Sequence, residues 1–266
     1  MFKFFLKKNF CDGWDNLFFI LVSNLITIAV LAGLGLLVQV AARFALIAVF
    51  AALVLSGGIL MTVVFAWGAV ARKIADFNAP SAALFFRSLK ESWRTGFLFG
   101  LLLGAFVLFV TVAARYYVLM ALRGNAVGVF FTLLVAVFAL VCVMALQWFV
   151  PLYFLQEQNT FRKCLKKSFI IFFDNTLFSF AMLCYNAVLF ALSLILFFLL
   201  PGVHGITLAS MNALRLRLYK YDWLEDHPDF LTDRDKRADV PWAELLAADK
   251  ETLGERKLTS FIFPWK

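Results

Sequence analysis

Two apolar runs near the N-terminus are too long for a soluble domain. They cover residues 17–40 and 44–70, and only Ala41, Ala42 and Arg43 separate them. A transmembrane helix needs about 20 predominantly apolar residues to cross a bilayer core about 30 Å thick. Because both runs exceed that length and the connection is so short, the sequence predicts a tight transmembrane helical hairpin.

The whole chain shares this apolar character. Hydrophobic residues make up 63% and charged residues 16% of its 266 residues, and the mean hydropathy is +0.87. Soluble domains are about 45–50% apolar and about 25% charged. The composition therefore predicts an all-α fold, a polytopic membrane helical bundle. Six spans are predicted, and the two runs described above are the first two of them. The spans are 17–40, 44–70, 97–114, 127–153, 177–200 and 203–219.

The sixth predicted span is the least apolar. Only twelve uncharged residues, 203–214, precede Arg215 and Arg217. The segment can cross if these arginines extend toward the headgroups while the helix continues to Tyr219. A short interfacial or re-entrant helix is the alternative.

Local features predict a bend and a close helix contact. Pro151, near the end of the fourth span, predicts a kink or the point where the helix leaves the bilayer. Gly100 and Gly104 form a small-xxx-small pair in the third span, and 56–58 is a Ser-Gly-Gly sequence in the second. Such residues let helices approach closely, which we expect within one subunit.

The distribution of basic residues predicts the orientation. If the N-terminus is cytoplasmic, 22 of the 25 Lys and Arg residues lie on the cytoplasmic side, and only Arg43, Arg115 and Arg123 lie outside. Cytoplasmic loops of membrane proteins carry an excess of Lys and Arg. We therefore expect both termini, and the loops at 72–96 and 156–168, in the cytoplasm.

A basic, aromatic segment occurs three times. Residues 2–16 match residues 161–175 at seven of fifteen positions with a constant offset of 159, and 89–93 is a shorter third copy. Each copy precedes an outward-going span, so the sequence predicts three units, each a basic amphipathic segment followed by a hairpin. Interfacial helices place lysines against anionic lipid headgroups. The lysines assigned to this interface are Lys7, Lys8, Lys90, Lys166 and Lys167.

The sequence contains no recognisable catalytic or metal-binding motif. No acidic residue and neither histidine lies deep within an apolar run, which argues against ion-coupled pumps. The four cysteines are scattered and lack the spacing of metal ligands. We expect no enzymatic activity, no catalytic residue, no metal and no cofactor. The net charge of +8 is attributed to contact with lipid headgroups, so no nucleic-acid partner is expected.

Uncharged polar residues do occur within the predicted spans. In a helical bundle, their usual role is an interhelical hydrogen bond worth about 1 kcal/mol. The alternative is a substrate pathway between the spans. Its candidate residues are Asn24, Gln147, Asn186 and Asn212.

Residues 221–266 differ in composition and form an acidic tail with seven basic and eleven acidic residues. Residues 241–248 predict a short helix after a proline, and Gly254 is a stop signal. We expect the acidic stretch 222–239 to face the basic segments. The expected apolar anchors of the tail are Phe261, Phe263 and Trp265.

Residues 85–93, which follow a hairpin and precede the third span, resemble the YesL-like family of bacterial integral membrane proteins. Pro201-Gly202 and the short span that ends in 212–215 are also similar to that family. The resemblance covers about residues 10–220 and leaves the tail outside. It implies a place in the bacterial cytoplasmic (inner) membrane and an accessory role beside a carbohydrate transport system, without assigning a functional residue.

Two functional hypotheses follow. The first is a non-enzymatic accessory or scaffold that contacts the lipid bilayer, anionic lipid headgroups and a membrane transporter subunit or a second copy of the chain. The alternative is a small transporter or channel with a polar pathway between its spans.

Overall fold

The computed structural model describes residues 1–157, 159–227, 230 and 240–256, and this part of the chain consists of helices joined by turns and loops, without strands. The all-α class predicted from composition is therefore confirmed. The helices are α1 (Phe2–Asp15), α2 (Leu17–Ala41), α3 (Leu46–Ala75), α4 (Ala82–Leu122), α5 (Ala126–Leu146), α6 (Phe149–Leu155), α7 (Phe161–Asp174), α8 (Thr176–Ile195), α9 (Gly202–Asp226), α10 (Trp242–Leu245) and α11 (Ala247–Leu253).

Five stretches in the described part of the chain are long and apolar enough to cross a membrane: α2, α3, α4, α5 with α6, and α8. Their outward faces expose large apolar side chains, such as Ile47 at 81% and Leu177 at 83%. Soluble proteins rarely leave extended apolar surface of this kind in water. The protein is therefore membrane-embedded.

Helices α3 and α4 pack closely through glycine. A Cβ atom added to Gly57 would lie 2.8 Å from the carbonyl oxygen of Gly100, and one added to Gly104 would lie 3.0 Å from the Cα of Val54. These small residues let the two backbones touch, as in other membrane helix pairs. The contact lies within one chain.

The predicted third span is part of a much longer helix. Helix α4 contains 41 residues and is therefore about 60 Å long. It includes both the third copy of the basic segment, 89–93, and the span predicted at 97–114. The basic segment is thus the first part of the span helix and not a separate interfacial helix.

The fourth predicted span is interrupted next to Pro151. Helix α5 ends at Leu146 and α6 begins at Phe149. Proline has no N–H group, and its ring clashes with the carbonyl four residues earlier, here that of Gln147. The helix is interrupted at that position and then continues to Leu155.

The two longer copies of the basic segment form equivalent helices. Helix α1 starts at Phe2 and ends at Asp15, and α7 starts at Phe161 and ends at Asp174. Both bounds differ by the 159 residues that separate the copies in the sequence. A single residue then precedes the next helix in each case.

Helix α9 lies inside the bundle, with buried residues on every face, and it packs against α1, α2, α3, α6 and α8. The first turn of α9 lies beside Asn24 of α2. From Asn24 to its C-terminal end at Ala41, α2 continues for another 17 residues, or about 25 Å. The range predicted as the sixth span is helical, yet it reaches only part of the way along α2 and is not among the five apolar stretches.

Long-range contacts gather several segments at one end of the bundle. Arg215 of α9 pairs with Asp76, directly after α3, and with Asp249 of α11. Lys7 of α1 donates to the carbonyl of Gly254. We call this region the basic end; it comprises α1, α7, residues 215–226 of α9, α10 and α11.

Candidate functional site

Asn24 binds the connection between α8 and α9. Its amide nitrogen donates to the carbonyl oxygens of Leu199 at 3.0 Å and Pro201 at 2.8 Å, and its oxygen accepts from the backbone N–H of His204 at 3.0 Å. Irregular backbone within a membrane is tolerated only where its polar groups are satisfied. Asn24 supplies three of these hydrogen bonds, so its amide is fully engaged within the bundle.

Gly202 is required in the same connection. Its φ angle is +60°, and a Cβ atom there would overlap the side-chain amide of Asn24. The N–H of Gly202 donates to the hydroxyl oxygen of Ser193 at 2.9 Å. Glycine both adopts the left-handed conformation and leaves room for Asn24.

His204 is fully buried in the first turn of α9. Its Nδ1 lies 2.6 Å from the hydroxyl oxygen of Ser23, and its ring stacks on Trp67 with centroids 5.3 Å apart. Nε2 has no hydrogen-bond partner among the described residues. Sequence analysis did not identify this site, because Ser23 is 181 residues away in the chain.

A buried ion pair within α1 is bound by a side chain of α9. Lys8 Nζ donates to Asp12 Oδ2 at 2.8 Å, and both side chains are almost fully buried, at 0% and 6% exposed. Asn212 Nδ2 donates to the same Asp12 oxygen at 2.8 Å. The Lys8 ammonium also lies 3.6 Å from the centroid of the Phe77 ring. The predicted headgroup contact is therefore wrong for Lys8, which has an internal partner instead.

Burial determines the electrostatics of this pair. It lowers the pKa of Lys8 and raises the pKa of Asp12, because loss of water disfavours both charged forms. The mutual attraction of the two groups opposes both shifts. Removal of either partner would leave the other buried without its counter-charge.

The remaining predicted headgroup lysines lie nearer the surface. Lys7, Lys90 and Lys166 are exposed, and headgroup contact remains a prediction for these three. Lys167 is partly buried and donates to the side-chain oxygens of Gln156 at 2.8 Å and Asn159 at 3.3 Å.

The described part of the tail docks on the basic end. Arg215 Nη1 donates to Asp249 Oδ2 at 2.6 Å, and Nε donates to Asp76 Oδ1 at 2.8 Å. Leu246 and Leu253 of the tail are 2% and 4% exposed. The Arg215–Asp249 ion pair and the two buried leucines therefore hold α11 against α9 and α1.

The tail residues predicted as anchors lie outside the described residues. They are Phe261, Phe263 and Trp265. Most of the acidic stretch predicted to face the basic segments also lies outside. Asp249 and Arg256, which the sequence analysis did not single out, make ionic contacts between the tail and the basic end, with Arg215 and Asp15 respectively.

Two of the four pathway candidates, Gln147 and Asn186, share a cavity of about 290 Å³ between α3, α4, α5, α6, α8 and α9. Gln147 Oε1 and Asn186 Oδ1 are both buried without a hydrogen-bond partner in the described structure. Asn24 and Asn212 do not line this cavity. The structure therefore divides the predicted pathway into a cavity and two internal hydrogen-bond sites.

Within the described residues, no group of three or more His, Cys, Asp or Glu side chains is placed to hold a metal ion. The four cysteines are unpaired. Comparison with known proteins finds no match to this chain among family models, curated proteins or solved structures.

Proposed function

We propose that this chain is a non-enzymatic accessory protein of the bacterial cytoplasmic membrane that uses its basic end as a contact surface for a membrane partner. The observation that carries the proposal is the division of the pathway candidates. Asn24 is bound to the α8–α9 connection, and Asn212 is bound to Asp12. A polar route that joins the two ends of the bundle has no support in this arrangement.

The character of the basic end supports a contact role. Segments far apart in the sequence are joined there by the Arg215–Asp249 and Lys7–Gly254 contacts, which give the surface a defined shape. Around them, α1 and α7 expose a group of cations. These are Lys3, Lys7, Arg162, Lys163 and Lys166. Such a surface is complementary to acidic protein surfaces and to anionic headgroups.

The resemblance to the YesL-like family suggests the class of partner, a subunit of a carbohydrate transporter. A second copy of the chain is the other partner that the hypothesis includes. Helix α9 contributes indirectly to this contact surface, because Asn212 binds α1 and Arg215 binds α11. In this proposal α8 and α9 form a hairpin that enters and returns at the basic end, so that both chain termini lie in the cytoplasm.

Affinity purification in mild detergent tests the proposal. The tagged chain should recover one membrane partner in a stoichiometric amount. A triple variant, Arg162→Gln, Lys163→Gln and Lys166→Gln, should reduce recovery roughly tenfold, if each charge contributes about 0.5 kcal/mol. The matched control neutralises Arg43, Arg115 and Arg123, the three arginines assigned to the other side of the membrane, and should recover the partner normally.

A solitary species from the purification would contradict the accessory role. The cavity that holds Gln147 and Asn186 favours a second candidate, a small transporter. Reconstitution into liposomes with a panel of sugars separates the two functions. An accessory protein transports none of them, whereas flux that is lost in Gln147→Leu would support transport.

A further inference from the structure

One helical face of the described part of the tail contacts the basic end. Leu246, Asp249 and Leu253 are buried, whereas the residues between them are exposed. Their spacing of three and four positions places the three side chains on the same side of the helix. The tail is therefore bound through a carboxylate that has one leucine before it and one after it.

Three donors of α9 hold this carboxylate. Arg215 Nη1 donates to Asp249 Oδ2 at 2.6 Å and Nη2 donates to Oδ1 at 3.3 Å, while the hydroxyl group of Tyr219 donates to Oδ1 at 3.2 Å. Two hydrogen bonds from one guanidinium group give arginine its geometric preference for carboxylates. The three donors together form a carboxylate site on α9, which the tail of the same chain occupies.

The orientation of Arg215 does not depend on the tail alone. Its Nε donates to Asp76 Oδ1 at 2.8 Å, and Asp76 directly follows α3. The guanidinium therefore keeps a counter-charge when α11 is absent from the site, so it is not left as an isolated buried charge. Its two Nη atoms and the Tyr219 hydroxyl are then available to an acidic residue of another chain.

The attachment of the tail is small for the length of chain that it fixes. Within residues 240–256, the buried apolar side chains are those of Val240, Leu246 and Leu253. The polar contacts of this segment with α1 are exposed and contribute little. Because ordering each residue costs conformational entropy, undocking of the tail requires less free energy than unfolding of the bundle.

We propose that α11 is an intramolecular ligand of this carboxylate site, and that the partner of the basic end displaces it with a short acidic helix. That helix carries a carboxylate with an apolar residue three positions before it and another four positions after it. The tail regulates access, because the site is open only in the fraction of molecules whose tail has undocked. The identity of the displacing chain as the membrane partner rests on the proposed function, whereas the carboxylate site itself does not.

A peptide of the tail tests the site. The probe is a fluorescein-labelled peptide with the sequence of residues 240–256, and the full chain is held in phosphatidylcholine nanodiscs. Asp249→Ala in the full chain weakens the docking of its own tail, so this variant should bind the peptide roughly tenfold more tightly than the wild type does. Fluorescence anisotropy measures the two dissociation constants.

Two matched controls isolate the carboxylate. Glu251→Ala removes an exposed carboxylate from the same helix, and this full chain should bind the peptide as weakly as the wild type. A second peptide, which carries Asp249→Ala, keeps both leucines and therefore controls for partition into the lipid. It should bind to the Asp249→Ala chain roughly tenfold more weakly than the first peptide.

Three outcomes would overturn the proposal. Equal affinities of the wild-type and Asp249→Ala chains for the first peptide would show that the tail does not compete for the site. Equal binding of the two peptides would show that the carboxylate is not recognised. Failure of the Asp249→Ala chain to fold, checked by size-exclusion chromatography, would make the tail an integral part of the bundle.

Purification of the membrane partner separates this inference from the proposed function. Asp249→Ala should increase recovery of the partner, and unchanged recovery would contradict displacement of the tail by that partner. Peptide binding as expected, but with no partner recovered from any variant, would support the carboxylate site and contradict the accessory role. A recovered partner without the expected difference in peptide binding would overturn only the intramolecular ligand.

Discussion

Helices α1 and α7 arise from the same sequence pattern and have the same length, but their surroundings differ. Helix α1 packs against α9, and its second lysine, Lys8, is fully buried beside Asp12. Helix α7 packs against α5 and α6, and the equivalent lysine, Lys167, reaches oxygens of the preceding loop. The position equivalent to Asp12 is Ile171. The repeated pattern thus specifies a helix, and in α1 alone of the two copies Asp12 supplies a counter-charge for the buried lysine.

The largest expected effect is that of Asp12→Leu, which gives α1 the apolar character that α7 has at this position. Lys8 would remain buried without a counter-charge, and loss of one partner of a buried pair typically destabilises a protein by about 3–5 kcal/mol. Chemical unfolding in detergent micelles measures this change. Asp15→Leu on the same helix is the control, because its pair with Arg256 is about half exposed, and we expect less than about 1 kcal/mol. Equal effects of the two substitutions would remove the distinction between the buried pair and a surface pair.

A smaller effect concerns pH. Burial lowers the pKa of Lys8, and the charged groups near it are Asp12 of α1, Arg215 of α9 and Asp249 of α11. Just below the ordinary lysine pKa of about 10.4, the unfolded chain therefore binds a proton that the folded chain has released. Stability contributed by Lys8 consequently rises with pH across that window. Thermal unfolding at pH 8.5 to 10 should show the wild type gaining stability relative to Lys8→Met, and parallel curves would contradict this prediction.

The smallest expected effect is that of Lys167→Met in α7. Its two hydrogen bonds are made to Gln156 and Asn159 near the surface, so we expect a loss of about 1 kcal/mol or less. The same unfolding assay compares it with Asp12→Leu. A loss as large as that of Asp12→Leu would mean that the two copies are equally integrated into the fold.

The repeat explains which features could be predicted from the sequence. The match between 2–16 and 161–175 predicted two equivalent segments, and both are helices with equivalent bounds. The burial of Lys8 was not predicted, because it depends on Asn212, about 200 residues away. Its local signal was the spacing of Lys8 and Asp12, four residues apart on one helical face.

The partners of the polar residues in the spans were likewise not predictable from the sequence. Asn24 was recognised as an unusual residue in an apolar helix, but its partners lie about 175 residues further along the chain. Gln147 and Asn186 were also singled out, yet the cavity that unites them is formed by six helices. Composition and periodicity predict the class of fold, whereas these contacts depend on how the helices pack.

A double-mutant cycle on Lys8 and Asp12 tests most directly whether the buried pair distinguishes the two copies. The single variants Lys8→Met and Asp12→Leu each leave one group buried without its partner, whereas the double variant replaces the pair by apolar side chains. We expect the double variant to be more stable than Asp12→Leu by about 2 kcal/mol or more, because replacement of a whole buried pair is often close to neutral. Additive losses in the double variant would contradict the account, since they would show that the two groups do not depend on each other.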